Sequence, residues 1–174
     1  MLMHPRSWLA AAVLMAWASG PVDAAPAKKP ALTFGASLDK ASYAANEPIL
    51  TTFTLTNGGK QPVWVNSRFY VSSNTLPRDD RDVYLTVRSA SGKELECTFT
   101  HPTGFPKTDY FKLLQPEAAV SSEHPRDLRA FFKFEEPGTY TLTATYDNAF
   151  GPEIGLEAAQ GPLTAAPVTL TITP

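Results

Sequence analysis

Between Thr139 and Tyr146 every second residue is threonine, and the positions between hold Tyr140, Leu142, Ala144 and Tyr146. Such a stretch has one apolar and one polar side only when extended, because successive side chains of a strand point to opposite faces. Threonine suits the polar side, since its branched Cβ fits a pleated backbone better than a helix. The same period of two recurs elsewhere. Phe53 and Leu55 alternate with Thr52, Thr54 and Thr56, and Val83, Leu85 and Val87 with Tyr84, Thr86 and Arg88. Leu95, Cys97 and Phe99 alternate with Glu94, Glu96 and Thr98; Leu128, Ala130, Phe132 and Phe134 form another such run; and Val168, Leu170 and Ile172 follow at the end.

Turn chemistry separates these runs at Asn57-Gly58-Gly59-Lys60-Gln61-Pro62, Ala90-Ser91-Gly92-Lys93 and Glu136-Pro137-Gly138. No helical stripe of useful length appears beyond residue 24. The expectation is an all-β domain, an antiparallel β-sandwich of seven to nine strands over residues 31–174.

The start of the chain reads differently. Arg6 precedes an apolar run from Trp8 to Ala18, and Val22-Asp23-Ala24 supplies small residues for cleavage, the order of a signal peptide over residues 1–24. The run falls short of the roughly 18 apolar residues that a membrane span needs. The expected mature protein is periplasmic or secreted, with no membrane span, and residues 25–30 form an extended linker around Pro26 and Pro30. Met1, Met3 and Met15 all lie in the leader, so methionine-rich copper carriage is excluded for the mature chain. Cys97 is the single cysteine, which leaves no intramolecular disulfide and places the burden of stability on the core. Sharing a face with Leu95 and Phe99, it is expected to be a buried, unreactive thiol.

With 43% hydrophobic residues, 15 Lys+Arg against 17 Asp+Glu and a net charge of -2, the chain has the composition of a folded domain without affinity for nucleic acid. Common catalytic and phosphate-binding motifs are absent from the sequence, and no cofactor is expected. His101 and His124 each precede a proline and read as loop positions. Cys97 and His101 would lie ~13 Å apart along a strand, too far to share a zinc ion. Asp79, Asp80 and Asp82 have the oxygen chemistry of a calcium loop, but Arg78 and Arg81 compete for the same carboxylates, and a self-paired turn is expected.

Glu136-Pro137-Gly138-Thr139-Tyr140-Thr141-Leu142 resembles the acidic-x-Gly-x-Tyr-x-Cys segment of immunoglobulin-type domains, with Leu142 in the place of the Cys. The resemblance implies an immunoglobulin-like fold and a tyrosine hydroxyl that caps the corner before a core strand. Leu38-Asp39-Lys40-Ala41-Ser42-Tyr43, Asn46-Glu47-Pro48-Ile49 and Phe53-Thr54-Leu55-Thr56-Asn57 resemble the opening strands of bacterial exported sandwich domains. With the late Pro-Gly-Thr-Tyr strand they are distantly similar to the bacterial intracellular proteinase inhibitor family, a likeness that carries over fold but no inhibitory residue.

Two connections are long, from Asn66 to Arg81 and from Asn148 to Ala166. If every connection reverses the chain, loops 39–48, 66–82 and 101–109 share one end of the sandwich, with Phe150 and Ile154 at the other. An extra strand at Phe69 to Val71 would shift the later loops. The shared end would present Tyr43, Phe69, Tyr70, Arg78, Arg81, Phe105 and Tyr110, residue types enriched in interface anchors. The expected function is a non-enzymatic binding module for a protein or peptide partner, touching it with Phe69, Tyr70, Arg78, Arg81, Phe105 and Tyr110. The alternatives are an accessory subunit or non-catalytic domain of an envelope enzyme, with His101 or Asp109 as its only reactive candidates, and a proteinase inhibitor.

Overall fold

A computed structural model describes residues 32–174; the expected signal peptide, linker and first domain residue, Ala31, lie outside them. The described chain is all-β, with single 3-10 turns and no α-helix. One sheet contains β1 (Leu32–Leu38), β3 (Leu50–Asn57), β8 (Ala119–Ser121) and β9 (Arg126–Asp127), with β3 central. The other runs in the order β2 (Ser42–Ala44), β12 (Val168–Thr173), β10 (Gly138–Tyr146), β6 (Val83–Ser89), β5 (Val71–Ser72), and β11 (Leu163–Thr164) also pairs with β10. A separate ribbon joins β4 (Val63–Asn66) to β7 (Phe111–Leu114).

The period-two runs account for the centre of both sheets. Along β3, Thr51, Phe53, Leu55 and Asn57 are buried while the residues between them are half-exposed. Along β10, Tyr140, Leu142, Ala144 and Tyr146 are buried. Phe34 lies opposite Leu55 on the neighbouring strand, and its ring centroid is 5.8 Å from that of Tyr146 in the other sheet. Both sheets feed one apolar core, in which each fully buried Leu or Phe contributes about 1.5–3 kcal/mol.

The corner before β10 has the expected form: Tyr140 Oη donates to the Glu136 carbonyl at 2.7 Å. Gly138 supplies the backbone there, at a φ of 148° that favours glycine. Leu142 is wholly buried.

The antiparallel expectation needs correction. β2 runs parallel to β12 and β5 parallel to β6, so the larger sheet is mixed, and the strands among the described residues number twelve, several of them only two or three residues long. Two expected strands are missing. Leu128–Ala130 is a 3-10 turn capped by Asp127, whose carboxylate accepts from the Arg129 N–H; Leu128, Phe131, Phe132 and Phe134 then reach the core while Ala130 is exposed. Residues 94–99 make only single bridges, at Glu94 and Cys97. Without a ladder to face them inward, Leu95 and Cys97 are half-buried and Phe99 is exposed, so the thiol is not the sealed core group expected.

Candidate functional site

The connection from β4 to β6 is organised by a buried polar cluster. Asn66, Arg68 and Asp82 are all buried. Arg68 Nε donates to Asp82 Oδ2 at 2.6 Å and Nη2 to Oδ1 at 2.7 Å. The same carboxylate accepts from Asn66 Nδ2 at 3.0 Å and from the Tyr70 N–H at 3.2 Å. A buried carboxylate costs several kcal/mol to desolvate, and the two-point guanidinium pair with its added donors offsets that cost. Asp82 is therefore not available to a calcium ion; Asp79 beside it is exposed. No group of three or more His, Cys, Asp or Glu among the described residues is arranged to hold a metal.

The remaining donors of Arg68 tie down a second segment. Nη1 donates to the carbonyls of Thr103 and Gly104, each at 3.0 Å. Ser72 Oγ donates to the His101 carbonyl at 2.8 Å, and the Thr103 N–H to the Asp80 carbonyl at 2.9 Å. The 101–104 segment, which has no strand of its own, is thereby fixed to the 66–82 connection. The Arg68 guanidinium also lies 4.9 Å from the Tyr70 ring centre and 5.6 Å from that of Tyr110.

Of the residues expected to touch a partner, Phe69 is placed quite differently. It is 0% exposed, stacks with Phe34 and meets the tilted rings of Phe53 and Tyr146 in the core. Its φ of 49° lies in the left-handed region, which is strained for a bulky side chain and turns the ring inward; core burial offsets the strain. Tyr43 is buried as well, its hydroxyl donating to Asp39 Oδ1 at 2.7 Å, and burial pushes its phenol up to about 12.

Arg78 and Arg81 are structural ties. Arg78 donates to Asp147 Oδ1 at 2.8 Å and to the carbonyls of Asn148 and Gly161. Arg81 donates to Asp147 Oδ2 at 3.2 Å and to the carbonyls of Asn74 and Leu76. Gly161 is required where this loop crosses β10, because a Cβ there would stand 2.6 Å from the Tyr146 carbonyl oxygen. Tyr110 is half-buried beside Tyr70. Tyr70 and Phe105 are exposed, at 41% and 66%.

The loop arrangement also departs from expectation. Phe105 meets Phe150 edge-on, with ring centroids 5.0 Å apart, so the 148–166 connection joins 66–82 and 101–109 rather than facing away from them. An extra strand that shifts the count forms at Val71–Ser72 rather than at Phe69–Val71.

An open groove of about 440 Å³ runs beside β5, walled by Tyr70, Val71, Phe99, His101, Phe131 and Arg126. Tyr70 and Phe99, at 41% and 36% exposed, are two of the four exposed large hydrophobic residues among the described residues. Of these walls only Tyr70 is among the residues expected to contact a partner. Arg126 and Phe131 are far away in sequence, and neither has a local motif that marks it.

No family model matches this chain, and no curated protein matches it. Among solved structures, a β-glucosidase from Erythrobacter marinus is similar over 82% of this chain and 15% of its own, with 16% sequence identity and a TM-score of 0.33. The chain thus spans about a seventh of that enzyme's length, and a likeness at this score bears on neither fold nor activity.

Proposed function

We propose that this chain is an exported, non-enzymatic binding module on an immunoglobulin-like sandwich frame, and that it recognises a protein or peptide partner through the groove beside β5. The observation that carries the reading is the convergence of Tyr70 and Phe99 on one concave, mostly apolar surface, a common form of recognition site. Arg68 supports it by fixing the walls: one guanidinium ties the Tyr70 backbone, through Asp82, to the 101–104 segment. A preordered surface loses less conformational freedom on binding than a mobile loop does. The Tyr140 corner and the shared core of two sheets favour the immunoglobulin-like frame. The order of residues 1–24 favours export to the periplasm or medium.

A photo-cross-linking residue at position 99, compared with one at the exposed Leu113 in the native host, tests the reading. A defined adduct at 99 alone, lost on Tyr70→Ala with the urea midpoint unchanged, is the expected result. No adduct at 99, or the same adduct at both positions, would refute it. The mass of the secreted chain tests export separately, with a mature N-terminus expected at or near Ala25.

A further inference from the structure

The groove has a charge character that its aromatic walls obscure. Its lining includes one guanidinium, Arg126, and no carboxylate. Of the arginines among the described residues, Arg68, Arg78, Arg81, Arg88 and Arg129 all donate to carboxylates or carbonyls; Arg126 alone has no side-chain hydrogen bond there. Its guanidinium carbon rests 5.8 Å from the Tyr70 ring centre. Oδ1 of the adjacent Asp127 accepts from the N–H groups of Ile49 and Arg129, and no ion pair joins Asp127 to Arg126.

A second observation falls at the same place. Four buried side-chain polar atoms lack a hydrogen-bond partner among the described residues, and two of them, Arg126 Nε and Thr103 Oγ1, belong to residues lining this groove. An unpaired buried donor is costly and is uncommon in a folded domain without a reason. Unlike the other arginines, Arg126 has no hydrogen bond to give up when it pairs with a ligand.

Resting on the binding-module reading, we infer that the groove receives the C-terminal residue of a peptide. Its free carboxylate pairs with the Arg126 fork and the Thr103 hydroxyl, and its apolar side chain lies among Tyr70, Phe99 and Phe131. A terminal residue carries carboxylate and side chain on one Cα, which matches a small apolar groove with a single cation on its wall. Arginine suits the pairing because its planar fork meets both carboxylate oxygens.

The test uses the isotope-labelled full chain and two probes, acetyl-Ala-Ala-Phe as the free acid and as the carboxamide, followed by amide chemical shifts. The free acid should give saturable shifts at Val71, His101 and Thr103, with the carboxamide at least tenfold weaker. Arg126→Gln should abolish the preference for the acid, and Thr103→Val should reduce it, while both variants keep the wild-type spectrum elsewhere. Equal binding of acid and amide, or an acid preference that survives Arg126→Gln, overturns the carboxylate assignment but leaves a peptide groove. Absence of saturable shifts with both probes overturns the inference, and the cross-linking at position 99 decides the broader reading independently.

Discussion

The Arg68 guanidinium holds both oxygens of the Asp82 carboxylate, at 2.6 and 2.7 Å, with the two side chains 2% and 0% exposed. Removing one member strands the other as a buried, uncompensated charge. Arg68→Met and Asp82→Asn should each cost about 3–5 kcal/mol in urea unfolding, and the double variant less than their sum. Amide exchange at Thr103 should quicken in Arg68→Met, because the Thr103 and Gly104 carbonyls lose their shared donor. Additive losses would show that the two side chains act independently.

The β10 corner separates a hydrogen bond from packing. Tyr140→Phe removes the hydroxyl that reaches the Glu136 carbonyl and should cost about 0.5–1.5 kcal/mol. Leu142→Ala, at a fully buried position, should cost about 2–5 kcal/mol, and the exposed Thr141→Ala about 0.5 or less. Equal losses for Leu142 and Thr141 in urea melts would mean that the faces of β10 are misassigned.

Alkaline pH should unfold the protein in part through Tyr43. Burial, reinforced by the Asp39 carboxylate, raises its phenol from 10.0 to about 12 in the folded state. The folded protein thus favours the protonated form. The stabilisation is complete below about pH 10 and is lost as the pH climbs through about 12. Tyr146, whose phenol is also pushed up by burial, contributes in the same direction. In Tyr43→Phe the gap in urea midpoint from wild type should be widest near pH 8 and narrow by pH 11. A constant gap would mean that Tyr43 does not resist ionisation.

Cys97 should react as a hindered thiol. Burial raises its pKa, which lowers the thiolate fraction at neutral pH. Because the residue is half-buried rather than sealed, native protein should label slowly with a maleimide, faster with each rise in pH, and without needing urea. Labelling confined to the unfolded state would place the thiol deeper than the 94–99 segment allows.

The sequence was most informative where one physical signal acted alone. β3, β6, β10 and β12 are long enough for period-two alternation to show, and their buried faces are those that the alternation marks. Residues 94–99 and 128–134 carry the same apolar spacing, but the first makes only isolated bridges and the second begins with a capped 3-10 turn, so spacing alone misjudged both. At the groove, Tyr70 was legible as an aromatic in a long connection. Phe69 beside it was not, because its side is set by a left-handed backbone that no flanking residue announces. Nothing in the sequence marks Arg68, because its partner, Asp82, stands across the connection, whereas Arg78 and Arg81 adjoin acidic residues but are ties to Asp147.

The parallel pairing of Ser42–Ala44 with Thr171–Thr173 has a kinetic consequence. Among the described residues, an early strand of the second sheet has its only strand neighbour in β12, far later in the chain, and β10 gains one of its two long partners from the same late strand. A partly synthesised chain can form the β1–β3 hairpin, but it cannot close the larger sheet. Contacts so distant in sequence slow folding, because their loop-closure entropy falls due before the contacts form. Assembly of the sheet therefore waits for β12 to emerge, and a ribosome-bound fragment ending before Val168 should remain protease-sensitive.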